Sequence, residues 1–91
     1  MMNQEIYMLG LYVNNTEKTH RFLQRSLRLY HTNAAARELW TKVSFADTLA
    51  HSLQRVIKDV NGNNIDVDIE CTATIQNLRV LAVNEFNKFE L

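Results

Sequence analysis

Proline is absent from this chain of 91 residues, and glycine occurs only at Gly10 and Gly62. Loops that cradle phosphate draw on several glycines, because the backbone must turn left-handed and approach the ligand closely. Two isolated glycines cannot write a nucleotide P-loop or a dinucleotide GxGxxG, so both are excluded. Cysteine occurs once, at Cys71. An intramolecular disulfide is impossible, and the usage suits a reducing compartment. Long hydrophobic runs are missing too. The apolar stretch Ile6 to Val13 is eight residues and follows Glu5 rather than a basic flank, too short for a membrane span and unlike a signal peptide. The cytoplasm is the expected location, and no membrane partner is expected. Neither sign of charge is in excess: ten Lys and Arg face ten Asp and Glu, for a formal net charge of zero. No global field draws the chain to nucleic acid or to an anionic membrane.

What is present fits one folded domain over residues 1–91. An apolar content of 46% and a charged content of 22% argue against disorder. The length is near the lower end of what a single core holds without staples. There is no repeat, low-complexity tract or linker.

Glu5–Val13 is rich in β-formers and apolar on both parities, the pattern of a strand covered on both faces or contacting a second chain on one. Gly10 within it marks a bulge or a close backbone approach. For Lys18–His31 the two periods disagree. As a helix, Phe22, Leu23, Ser26, Leu27, Leu29 and Tyr30 share one half and Lys18, Arg21, Gln24, Arg25, Arg28 and His31 the other, which fits better than a strand. A strand entered by a hairpin after Val13 is the alternative. Leu39, Val43, Ala46, Ala50, Leu53, Ile57 and Val60 recur at spacings of four and three, predicting one amphipathic helix over Asn33–Asp59, with Ser44–Asp47 allowing a break near Val43. Phe45, Leu49 and Val56 widen its apolar arc beyond what one sheet face needs, so a second helix or a second subunit is expected to cover the excess. Asn61–Asn64 is a turn. Ile65–Ile75 alternates strictly between apolar and polar residues and predicts a half-buried strand, with Cys71 pointing inward. Gln76–Asn77 turns the chain into a second strand, Leu78–Val83, and Phe86 and Phe89 of the tail are expected to pack down.

The expected fold class is therefore α+β: a small antiparallel sheet of three or four strands packed against one long amphipathic helix. Lys18–His31 supplies either a second, shorter helix or a fourth strand.

Two charged stripes are the strongest features offered to a partner. On a strand, Asp66, Asp68 and Glu70 would line one face about 7 Å apart. Such carboxylates can hold a divalent cation, but the lysine of a (D/E)xK nuclease is missing, and the ordinary reading is a solvated sheet face. A protein-binding or phosphate-mimicking face is the functional alternative. On a helix, Lys18, Arg21, Arg25 and Arg28 would present four cations along one side, which suits an acidic protein surface or a nucleic-acid backbone. A solvated helix face is the ordinary reading here as well.

His20, His31 and His51 do not form a metal site, because His20 and His31 would be about 16 Å apart along one helix. Asp47 and His51 are spaced as a surface i,i+4 pair. Trp40 lies off the helical seam and reads either as an interface aromatic or as packing beneath the first helix or the tail.

No catalytic constellation is present, so no enzyme, metal or cofactor is expected. The sequence points to a non-enzymatic small binding protein, expected as a homodimer, that modulates or inhibits a protein target. Small asparagine-rich proteins of phages and mobile elements, anti-defence proteins among them, share this composition, an analogy of composition and not of family. The alternative is a nucleic-acid-binding module using the basic stripe.

Overall fold

A computed structural model describes residues 4–32, 42–62 and 67–89, with Lys42, Val43, Val67 and Asp68 described in backbone only. Among the described residues 93% are helical and no strand occurs. The helices are α1 (Gln4–Asn15), α2 (Glu17–Thr32), α3 (Lys42–Asn61), α4 (Val67–Thr72) and α5 (Ile75–Lys88). The expected α+β class is thus corrected to all-α.

Glu5–Val13 is the first correction. It forms α1, and Ile6, Leu9, Gly10 and Val13 are buried at the i, i+3, i+4, i+7 spacing of a helical stripe. Tyr7, Met8 and Leu11 point outward. A helix with a buried stripe and an apolar outer face also places apolar residues on both parities, which is why it resembled a doubly covered strand. Its β-formers yield to tertiary context, as strand propensities commonly do. Glu5 in the first turn suits the positive end of the helix dipole. Gly10 is neither a strand bulge nor, by its nearest contact, a close backbone approach: a Cβ there would lie 3.3 Å from the side-chain methyl Leu81 Cδ1.

The second correction concerns Ile65–Ile75. Its described part is helix α4, followed by a break at Ala73 and Thr74. Ile69 and Ala73, four residues apart, are buried, whereas Cys71 is exposed and not inward. Leu78–Val83 is likewise not a strand but the middle of α5, where Leu78, Leu81 and Ala82 are buried. Gln76–Asn77 belongs to the first turn of that helix. Thr74 is its N-cap, extended at φ −80° and ψ 158°, and its hydroxyl accepts from the Asn77 backbone N–H at 3.2 Å. The Asn77 side-chain amide donates to the Thr72 carbonyl at 2.9 Å and to the Glu5 carboxylate at 3.3 Å. One asparagine thereby joins α1, the end of α4 and the start of α5.

Lys18–His31 follows the helical reading, as α2. Leu23, Leu27 and Tyr30 face the core, while Leu29, expected on the apolar half, is exposed. The chain bends at Thr16 between α1 and α2. Thr19, fully buried, fixes the bend: its hydroxyl lies 2.8 Å from the Val13 carbonyl and 3.0 Å from that of Thr16. The long seam helix is α3, described from Lys42, and it runs past the expected end at Asp59 to Asn61, with the turn at Gly62, whose N–H donates to the Asp59 carbonyl at 3.3 Å. Residues 33–41 and 63–66 lie outside the described residues.

The most extensive contact pairs α3 with α5; α2 lies on α3, and α1 touches α2, α4 and α5. Phe45, Ala46, Leu49, Ala50, Leu53 and Ile57 of α3 are all at most 3% exposed. The described part of the wide apolar arc is therefore largely covered by helices of the same chain, with Val56 left partly exposed. Phe86 and Phe89 pack onto this core, as expected.

Candidate binding face on the second helix

Lys18, Arg21, Arg25 and Arg28 fall at i, i+3, i+7 and i+10 of α2 and are all exposed. Helical geometry places them in one row about 15 Å long. They face a single carboxylate on that helix, Glu17, which pairs with Arg21 across one turn with both side chains solvated. Such a pair adds little stability. Among the described residues, Lys18, Arg25 and Arg28 have no ion pair. The row is a concentrated positive face on a molecule of zero net charge.

Two open depressions adjoin it. One, of about 590 Å³, lies between α2 and α3 and is lined by Thr16, Glu17, Lys18, Arg21, Phe22, Arg25 and Val56. Phe22 and Val56 are partly exposed, so its floor is apolar and its rim cationic. The other, of about 470 Å³, is lined by His20, Gln24 and Arg28 together with Glu17, Arg21 and Arg25, which border both. His20 Nδ1 lies 3.3 Å from Asn14 Oδ1.

The other expected site residues are dispersed. Asp66 and Trp40 lie outside the described residues, and Asp68 is described in backbone only. Glu70 is exposed on α4, beside a small cavity of about 120 Å³ that Lys58, Gln54 and Asn61 also line. The strand expected to align these three carboxylates is replaced over Val67–Thr72 by α4, and of the three only Glu70 has a described side chain. Asp47 and His51 are the expected surface pair, at 3.9 Å, and Asp47 also binds Arg79 of α5. Among the described residues no three His, Cys, Asp or Glu side chains converge on a metal position, and no helix is long and apolar enough to cross a membrane.

The α2–α3 groove was not anticipated. Its signal was available: Phe22 sits between Lys18 and Arg25 on one helical face, and Val56 flanks the seam of α3. Comparison with known proteins finds no matching family, no matching curated protein and no matching solved structure.

Proposed function

We propose that this chain is a non-enzymatic binding protein that modulates a protein target by engaging an acidic surface through the outer face of α2. The observation that carries this reading is the exposed row Lys18, Arg21, Arg25 and Arg28, three of whose cations have no ion pair among the described residues. Exposed, uncompensated cations steer an anionic partner and select against basic ones. The apolar floor of Phe22 and Val56 beside the row favours a protein over a nucleic-acid backbone. The test is capture from native lysate, with and without nuclease, using the parent chain and Arg25→Glu. A protein partner retained after nuclease and lost with Arg25→Glu is the expected result. Recovery that vanishes with nuclease would replace this reading with the nucleic-acid one.

The homodimer reading loses the arc of α3 as its motive and keeps the outer face of α1, where Tyr7, Met8 and Leu11 are 56%, 49% and 46% exposed. Sedimentation velocity tests it, with Met8→Glu expected to lower the sedimenting mass if that face pairs two copies.

A further inference from the structure

We propose that the groove between α2 and α3 takes an acidic peptide segment carrying one apolar anchor side chain. This inference rests on the reading of α2 as a protein-binding face and adds the chemistry of what binds there. Lys18, Phe22 and Arg25 sit at i, i+4 and i+7, one face of α2, so a cation stands about one turn to either side of the ring. Val56 of α3 lines the same depression as Phe22. Arg21 stands on the rim but is engaged by Glu17, which leaves Lys18 and Arg25 as the cations open to an incoming carboxylate.

The two halves of this arrangement demand different things of an occupant. A partly exposed phenyl ring and an isopropyl group gain only from covering by apolar surface, which a phosphate chain cannot supply. The flanking cations gain only from negative charge. An aliphatic or aromatic side chain with carboxylates before and after it satisfies both, and the anchor would contribute most of the discrimination. Polyanions lacking an anchor would meet the cations alone and leave the floor wet.

The experiment measures fluorescence anisotropy of three labelled probes: a polyglutamate peptide with one central leucine, the same peptide with central alanine, and a DNA duplex. The full chain, Val56→Gln and Arg25→Glu are compared, with circular dichroism confirming that each variant is folded. The leucine peptide is expected to bind roughly tenfold tighter than the alanine peptide. Val56→Gln is expected to erase that difference, and Arg25→Glu to weaken both peptides. Equal binding of the two peptides by the parent chain overturns the anchor and leaves the α2 reading standing. Binding of the duplex with neither peptide, or of no probe at all, overturns both.

Discussion

The imidazole of His31 lies on the ring of Phe86, with centroids 4.5 Å apart and planes 17° from parallel. Phe89 stacks near the same imidazole at 5.1 Å, and Tyr30 meets Phe86 edge-on at 4.9 Å and Phe45 at 4.5 Å. This cluster fastens the last turn of α2 to the first part of α3 and the end of α5. Within it, His31 Nε2 is buried with no hydrogen-bond partner among the described residues.

An unpartnered buried nitrogen carries a desolvation cost that an apolar ring does not. His31→Phe is therefore expected to raise stability by about 1 kcal/mol. Urea unfolding followed by circular dichroism measures it. A lower midpoint would mean that the nitrogen has a partner in solution.

Thr19 gives the opposite expectation. Its hydroxyl is fully buried and donates to the carbonyls at the bend. Thr19→Val keeps the shape, removes the donor and should cost about 1–3 kcal/mol. A neutral result in the same unfolding experiment would show that the bend does not depend on that bond.

The helices of this fold were readable where one period dominated. In α3, the spacing of Ala46, Ala50, Leu53 and Ile57 leaves a single solution, and these residues are buried as that spacing demands. In α2, the separation of Leu23 and Leu27 from Arg21, Arg25 and Arg28 tipped the choice toward helix, and the basic row followed from it. In α1, the buried stripe was hidden by the equally apolar Tyr7, Met8 and Leu11 on the other face. In Ile65–Ile75 the alternation was real but misleading, because Ile69 and Ala73 suit a helix as well as a strand. The Thr74 cap and the spacing of Leu78, Leu81 and Ala82 were the overlooked signals of α5. Long-range partners such as Glu5 with Asn77 or Asp47 with Arg79 have no sequence signature at all, since only the folded chain brings them together.

Gly10 tests the fit of α1 against α5. Gly10→Ala gains helix propensity of up to about 1 kcal/mol, and the added carbon meets only the terminal methyl of Leu81. Its stability should stay within about 1 kcal/mol of the parent. Gly10→Leu should overpack the contact and lose about 1–3 kcal/mol. Equal tolerance of both would contradict the contact with Leu81.

Cys71 separates the helical structure from the sheet expected of the sequence. Exposed on α4, it should react with an aromatic disulfide reagent under native conditions about as fast as in urea. Protection until global unfolding would instead indicate an inward-facing thiol.

The closure of α1 onto α5 also has a meaning for the order of synthesis. Apart from its neighbour α2, the helices that α1 touches most are α4 and α5, which lie near the other end of the described chain. While the protein is still emerging from the ribosome, the stripe of Ile6, Leu9 and Val13 has no α5 to lie on, and Tyr7, Met8 and Leu11 are bare on the opposite side. The nascent chain thus presents a helix apolar all round until α5 is made, the interval in which such surfaces attract chaperones or each other.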